Sequence, residues 1–208
     1  MKTFRSIVTM LCLAATLQCC NTQQQENENN MKTTNQVVDN IMSRRSIRNY
    51  KPEQVEVEKM NTIIECGINA PNAINKQSWE VRVLNTPESV SRLKRFMVED
   101  NPEAKPEMVE GCFRGAPAII VIANDVNFPF SQIDCGIMCE NIVLSAWSLG
   151  IGSVCLGSPV GFIKNSAKAM DMLGFSQGFH PIICIGLGYP NESPEAKPRD
   201  MSKVKFIE

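Results

Sequence analysis

The segment Ala118-Ile119-Ile120-Val121-Ile122-Ala123 is apolar throughout and rich in β-branched residues. A short run of this kind, preceded by Gly115-Ala116-Pro117, predicts a strand buried on both faces in the middle of a sheet. Three other segments complete the predicted sheet. Apolar and polar residues alternate over 79–84, as in a strand with one solvent-exposed face. Residues 153–156 and 182–187 are short, mainly apolar runs that are followed by glycine.

Helical periodicity fills the segments between these strands. The predicted helices cover residues 36–44, 56–69, 87–98, 130–149 and 158–173. Residues 99–112 are charged and contain two prolines, which predicts a loop or a short lid helix. A chain of 208 residues has room for one domain. The alternation of helices and strands indicates an α+β or α/β sandwich around one sheet.

The N-terminus has a separate organisation. Lys2 and Arg5 precede an apolar run over residues 7–17, which is typical of a secretory signal and too short to span a membrane. Residues 21–30 are almost entirely Asn, Gln and Glu, which predicts a solvated tether. We therefore divide the chain into a signal peptide (1–19), a flexible polar tether (20–35) and a folded domain (36–208).

The junction Leu17-Gln18-Cys19-Cys20 resembles the cleavage site of bacterial lipoproteins. The resemblance predicts an exported protein, anchored to a bacterial membrane by a lipid on Cys20. Cys19 is the alternative acceptor because Gln18 is large for this kind of site. Plain secretion without a lipid is the other alternative.

The composition excludes some classes of function. Hydrophobic residues make up 43 % and charged residues 21 %, and the net charge is −1, so neither disorder nor a nucleic-acid footprint is expected. His180 is the one histidine and there is no Cys-x-x-Cys pair, so we expect no zinc site. Six cysteines lie in the folded domain: Cys66, Cys112, Cys135, Cys139, Cys155 and Cys184. An even count in an exported protein could indicate disulfides, but most of these residues lie in apolar periodic segments, so we expect packing instead. Cys155 lies between the apolar Val154 and Leu156, and we expect it to pack rather than to take part in redox chemistry.

Four local features carry chemistry, and each has a plain alternative. Arg44-Arg45-Ser46-Ile47-Arg48 offers guanidiniums for a phosphate, or is a solvated basic turn. The segment 71–79 places amides beside Trp79, or is a polar turn. The segment from Gly150 to Pro159 allows close approach of a flat ligand, or its glycines simply mark the ends of a strand. Lys197-Pro198-Arg199 adds two cations, or is a solvated tail.

In this order and at these separations, the four features resemble the nitroreductase family. The family pattern R-R-S-x-R-x-[FY] is matched by Arg44 to Tyr50, and its [AS]-P-S/N-x-x-N-x-Q-x-W loop by Ala70 to Trp79. The remaining matches are Gly115-Ala116-Pro117, Leu149 to Ser153, Gly188-Tyr189-Pro190 and Lys197 to Arg199. The likeness spans residues 36–206.

The resemblance implies a three-layer α+β sandwich with a central, mainly antiparallel sheet, assembled as a domain-swapped homodimer with FMN at the interface. It also implies an FMN site made of three groups of residues. The phosphate and the ribityl chain would be held by Arg44, Arg45, Ser46, Arg48, Lys197 and Arg199. The flavin would be reached from the partner subunit by Pro71, Asn72 and Asn75, with Gln77 as support, and its ring would be faced by the backbone of Leu156, Gly157 and Ser158.

The implied activity is two-electron transfer from NAD(P)H, or from another donor, to a nitroaromatic, quinone or similar small acceptor. The flavin would carry the reaction, so we name no catalytic side chain. One alternative is a lipid-anchored, non-enzymatic FMN-binding or electron-carrier module. Phe128 and Phe130 could stack on a substrate or simply pack.

Overall fold

The computed structural model describes residues 35–207. Its sheet has the order β1-β2-β4-β3, and every neighbouring pair is antiparallel. The strands are β1 (Trp79–Leu84), β2 (Ala118–Asp125), β3 (Gly152–Leu156) and β4 (Phe179–Gly188). The predicted central strand is confirmed as β2, which lies between β1 and β4.

Helices cover both faces of the sheet. They are α2 (Val57–Ile68), α3 (Pro87–Asp100), α4 (Pro106–Gly111), α5 (Ser131–Ser148), α6 (Ser158–Lys164) and α7 (Ala167–Leu173), and α1 (Gln36–Ser43) precedes them in the chain.

The apolar run of β2 is explained by a core on each face. Ile120 and Ile122 pack in the cluster formed with α2 and α5. Ile119 and Val121 point the opposite way and pack in the cluster formed with α3, α4, α6 and α7. Successive side chains of a strand point to opposite faces, so a strand covered on both sides must be apolar at every position. The predicted three-layer α+β sandwich is confirmed.

The predicted helix over 158–173 is interrupted. It consists of α6 and α7, and Ser166 caps α7 by accepting a hydrogen bond from Ala169 N at 3.0 Å. The same hydroxyl donates to Asp100 Oδ2 at 2.8 Å. Serine competes with the backbone for hydrogen bonds inside a helix and is favoured at an N-cap. The break therefore follows from a residue that the periodicity pattern did not weigh.

The strand predicted over 182–187 is longer, because β4 begins at Phe179. Pro181 lies opposite Ala123, where the register shifts between Ile122 and Ala123. Proline cannot donate to a ladder and is tolerated in a strand at such a bulge. The proline thus marks an irregularity inside the strand rather than its start.

The charged segment 99–112 contains the short helix α4. Val109 on this helix and Phe113 just after it are fully buried in the core beneath β2. The short helix was one of the two predicted alternatives. Its buried side chains fix it as part of the helical layer, so it does not stand over the sheet as a lid.

The helix α1 confirms the first predicted helix. The Asn35 side chain accepts hydrogen bonds from Val37 N at 3.0 Å and Val38 N at 3.2 Å, as an N-cap does. The apolar side chains of α1 are exposed: Val37, Val38, Ile41 and Met42.

The predicted signal peptide, most of the tether, and Cys20 lie outside the described residues. Within residues 35–207, no helix combines the length and the apolar character needed to cross a membrane.

Candidate functional site

The Arg44–Arg48 segment lies alongside β3. Ser46 forms a parallel bridge with Ser153, and Ile47 N donates to Ser153 O at 2.9 Å. The Ile47 side chain is 1 % exposed and anchors the segment in the protein. Around this anchor, Arg44 and Arg45 are half-buried and Arg48 is exposed. The structure therefore holds the three guanidiniums beside the strand that leads into Gly157 and Ser158.

The other side of this segment is held by the chain that follows β4. Asn191 N donates to Asn49 O at 3.0 Å, and Lys51 N donates to Tyr189 O at 2.9 Å. The Glu192 carboxylate accepts from Arg48 N. The segment is thus fixed between β3 and the Gly-Tyr-Pro turn, which brings together three motifs that are far apart in the sequence.

Tyr50 shows what the aromatic end of the first motif does. Its hydroxyl donates to Ile47 O at 2.6 Å and lies 3.3 Å from Gly186 O. Burial and the nearby Glu192 carboxylate raise the pKa of Tyr50 well above its ordinary value. A phenol kept neutral in this way is a hydrogen-bond donor, so Tyr50 supports the fold of the segment rather than the reaction.

Two motif glycines are required by packing. A Cβ on Gly152 would lie 2.8 Å from Ile47 Cγ1, and one on Gly188 would lie 2.6 Å from Pro117 Cδ. Both distances are below ordinary carbon contact, so neither position has room for a side chain. At Gly157, by contrast, a Cβ would meet nothing within 4 Å. Open space at this glycine would let a flat ligand approach the backbone.

The charges and polar atoms here fit a phosphate-bearing ligand. Within residues 35–207, neither Arg44 nor Arg48 forms a salt bridge with a carboxylate. The buried hydroxyl of Ser153, the residue that bridges to Ser46, has no hydrogen-bond partner in the described chain. Guanidinium groups bind phosphate oxygens in pairs, and a buried orphan hydroxyl calls for an added polar partner. Leu156 turns its side chain into the core, so this residue can face a ligand only through its backbone.

The predicted flavin-contacting loop has an unusual backbone. Ile74, Asn75 and Gln77 have φ of 50°, 53° and 50°, in the left-handed region that side chains rarely adopt. Asn72 Oδ1 accepts from Gln77 N at 2.9 Å, and Gln77 Nε2 donates to Asn75 Oδ1 at 3.3 Å. Each such residue costs on the order of 1–3 kcal/mol, and this kind of strain concentrates at ligand sites.

Asp134 anchors this loop and was missed by sequence reasoning. It is 4 % exposed, accepts from Ala73 N at 3.1 Å, and lies 3.5 Å from Ser78 Oγ. Its carboxylate lies in the first turn of α5, where the helix dipole favours a negative charge. An acidic residue between the apolar Ile133 and Cys135, in the first turn of a long helix, was the signal that could have found it.

The two halves of the predicted site lie at opposite edges of the sheet. The loop over residues 71–77 precedes β1, and the segment 156–158 follows β3, and these are the two edge strands. Three inter-strand spacings of about 4.8 Å put them about 14 Å apart. The strand directions place both at the same end of the sheet.

Lys197 and Arg199 are not brought to the arginine segment by any contact in the described chain. Both are exposed, and Arg199 Nη1 donates to the neighbouring Lys197 O at 3.2 Å. Their phosphate role stays a prediction. Phe128 and Phe130 contact each other edge to face, with ring centroids 5.8 Å apart, just before α5.

The expectation that Cys155 is packed is wrong. Its side chain is exposed, and its sulfur lies 3.3 Å from the sulfur of Cys139, which is buried on α5. Val154 and Leu156 do pack in the core, but alternation along β3 turns Cys155 to the opposite face. The apolar character of Val154 and Leu156 therefore gave a wrong prediction for the burial of Cys155.

Comparison with known proteins agrees with this architecture. The pattern of the nitroreductase family matches residues 41–189. One relative is a Methanothermobacter thermautotrophicus protein with the provisional name NADH dehydrogenase/NAD(P)H nitroreductase. It is 32 % identical over 164 residues, which cover 76 % of this chain and 79 % of the relative. The NADPH-flavin oxidoreductase of Vibrio harveyi is 28 % identical over 173 residues, 79 % of this chain and 70 % of that protein.

A solved structure is similar over the whole of its length. The nitroreductase of Desulfitobacterium hafniense with bound FMN superposes with a TM-score of 0.74 at 28 % identity, covering 84 % of this chain and 100 % of that one. The fold and the arginine segment beside β3 define a flavin-binding class of α+β protein. Together with the family match, they show that this chain belongs to the nitroreductase family.

Proposed function

We propose that this protein is an FMN-dependent oxidoreductase that passes two electrons from NAD(P)H, or from another donor, to a nitroaromatic, a quinone or a similar small acceptor. The cofactor and the enzyme class agree with the relatives, which include an NADPH-flavin oxidoreductase and a nitroreductase with bound FMN. One observation carries the proposal. The structure holds a segment with three arginines against β3, the strand that carries the unsatisfied buried hydroxyl of Ser153 and leads into the open Gly157.

The residues of this chain would divide the work of binding. Arg44, Arg45 and Arg48 would hold the phosphate, with Ser46 at the ribityl chain, because guanidiniums suit a group with nearly two negative charges. The backbone at Gly157 and Ser158 would face the ring. When bound, FMN supplies the two-electron redox chemistry, and the protein supplies position and electrostatics.

We propose that the active form is a homodimer. The loop anchored by Asp134 and the segment 156–158 lie at opposite edges of one sheet, so a second subunit would bring the loop to the other half of the site. The exposed face of α5 carries Ile133, which is 61 % exposed, and Ile137, which is 38 % exposed. Phe206 and Ile207 near the C-terminus are more than 80 % exposed. Apolar surface of this extent is typical of an interface.

We also propose that the chain is exported and held to a bacterial membrane by a lipid on Cys20. Loss of residues 1–19 removes Lys2 and Arg5, which lowers the basic count from 21 to 19 against 22 acidic residues. Such a chain has no net positive charge to hold it to an anionic surface, so the lipid would have to do so. Replacing Cys20 with serine should move the protein from the membrane fraction to the soluble fraction, whereas Cys19→Ser should not.

The visible absorption spectrum of the fragment from Met31 onward, before and after anaerobic NAD(P)H, tests the enzymatic proposal. A flavin band that bleaches supports both cofactor and donor. A flavin band that persists keeps the cofactor and rejects NAD(P)H as donor. Absence of flavin, even after soaking in FMN, overturns the proposal.

The non-enzymatic carrier is separated by steady-state turnover. An oxidoreductase should reduce a nitroarene or a quinone continuously when NAD(P)H is supplied. A carrier should bind FMN and show no turnover with any small acceptor. Turnover that stops after one equivalent would favour the carrier.

A further inference from the structure

Cys139 and Cys155 form a sulfur pair that the flavin chemistry does not use. Their sulfur atoms lie 3.3 Å apart, although 16 residues separate them and they belong to different elements, α5 and β3. A disulfide bond is about 2.0 Å long, so the gap to be closed is only about 1.3 Å. Formation of a disulfide would therefore require only a small movement of the two sulfur atoms.

The two thiols differ in access. Cys155 is exposed, whereas Cys139 is 4 % exposed and lies beneath it on α5. Thiol–disulfide exchange needs this asymmetry: one thiolate must reach an incoming disulfide, and a second thiol must be placed to displace it. The pair therefore has an attacking position and a resolving position.

The local electrostatics agree with these roles. Contact with the Cys139 thiol lowers the pKa of Cys155 below its ordinary value, and the positive charge of Arg44 acts in the same direction. The same sulfur contact, together with burial, raises the pKa of Cys139. The Glu140 carboxylate opposes ionisation of both thiols. The exposed sulfur is thus the one that more readily carries the negative charge.

The other cysteines of the described chain lack this arrangement. Cys112, Cys135 and Cys184 are buried, and burial raises the pKa of each. Cys66 is half-buried. Within residues 35–207, the only close sulfur–sulfur contact is the one between Cys139 and Cys155.

We propose that Cys139 and Cys155 are a reversible thiol–disulfide exchange site that takes low-molecular-weight disulfides as substrate, with Cys155 as the attacking residue and Cys139 as the resolving residue. This activity lies beyond the proposed flavin function, and it is tested by the state of the two thiols rather than by flavin.

The exchange takes place in two balanced steps. The Cys155 thiolate attacks one sulfur of R–S–S–R, a protein–SR bond forms, the S–S bond of the small disulfide breaks, and R–S⁻ leaves and takes a proton. Cys139 then loses its proton and attacks the Cys155 sulfur, which expels the second R–S⁻. The protein dithiol has lost two electrons and two protons, and the small disulfide has become two R–SH molecules.

The test uses the purified full chain, reduced and then incubated with oxidised glutathione. After an acid quench, free thiols are alkylated and the peptides that contain residues 139 and 155 are read by mass spectrometry. We expect the wild type to give a cross-linked Cys139–Cys155 peptide, which dithiothreitol converts back to two free thiols. Cys139→Ser should trap glutathione on Cys155, and Cys155→Ser should leave Cys139 unmodified. Cys66→Ser is the matched control and should cross-link like the wild type.

The wild-type measurement alone can overturn the proposal, so the result does not depend on the variants folding. Two alkylatable thiols at 139 and 155 after oxidation would rule out the site. Glutathione that stays on wild-type Cys155 without cross-linking would rule out Cys139 as the resolving residue. None of these readouts involves flavin, so a failure here is distinct from a failure of the oxidoreductase proposal.

Discussion

Replacing Gly152 with alanine tests whether close packing against β3 positions the arginine segment that we propose to bind the FMN phosphate. The added Cβ would lie 2.8 Å from Ile47 Cγ1 and 3.0 Å from Pro190 Cγ. Carbon atoms rest about 3.5–4.0 Å apart, so Ile47 and the arginine segment must shift by roughly 0.7–1.2 Å. Overpacking of this kind costs about 1–3 kcal/mol, and the lower entropy of the unfolded chain returns about 0.4–1 kcal/mol.

We therefore expect the unfolding free energy of Gly152→Ala to fall by about 1–2 kcal/mol. The displaced guanidiniums should also weaken FMN binding by about tenfold, which corresponds to about 1.4 kcal/mol. Guanidinium chloride unfolding of the apoprotein, followed by tryptophan fluorescence, measures the first effect. A titration that follows the quenching of FMN fluorescence measures the second.

Gly111→Ala is the matched control, because a Cβ at this position, the last residue of α4, meets nothing within 4 Å. It should leave FMN affinity unchanged and stability equal or slightly higher. Wild-type values for Gly152→Ala in both assays would refute the packing argument. A loss of stability without a loss of FMN affinity would refute the link from packing at β3 to cofactor binding.

Three further predictions concern the charges of the molecule. Arg199→Ala should weaken FMN binding by about 10- to 100-fold if the guanidinium contacts the phosphate. The control Arg92→Ala, on α3, should leave FMN affinity unchanged. Equal FMN affinities of Arg199→Ala and the wild type in a titration would exclude that contact. Asp134→Ala should lower the unfolding free energy by about 1–3 kcal/mol because Ala73 N loses its buried acceptor, and an unchanged denaturation midpoint would contradict this. Burial raises the pKa of Cys112 from 9.0 to about 11. Between these two pH values the unfolded state has lost a thiol proton that the folded state keeps. The free energy of unfolding should therefore fall as the pH rises through this interval. Cys112→Ala should make this decline shallower, and identical pH profiles would contradict the prediction.

Much of the secondary structure could be predicted because its signals are local. The apolar run of β2 and the periodicity of α5 lie within single segments, and both elements appear where they were expected. The failures were also local in origin. Ser166 and Pro181 broke the expected helix and the expected strand boundary because capping and bulge formation depend on single residues that a periodicity pattern averages out.

The candidate site was predicted only in its parts. The arginine segment and the loop at 71–77 were recognised from their residues, but the lone sequence could not show that Ser46 pairs with Ser153 or that Asp134 holds Ala73. Those contacts join residues that are 107 and 61 positions apart. Nothing in a local pattern fixes which distant segments will meet.

The sequence by itself determined which segments form most strands and helices, that β2 is covered on both faces, and that the cations proposed to bind phosphate are present. Each of these depends on residue type and short-range spacing. The tertiary structure alone decided the strand order β1-β2-β4-β3, the placement of the two half-sites at opposite edges, and the contact between Cys139 and Cys155. The physical reason is that strand pairing and helix docking are set by the burial of apolar area over the whole chain, a non-local quantity. Side chains far apart in sequence are brought together only once that burial is complete.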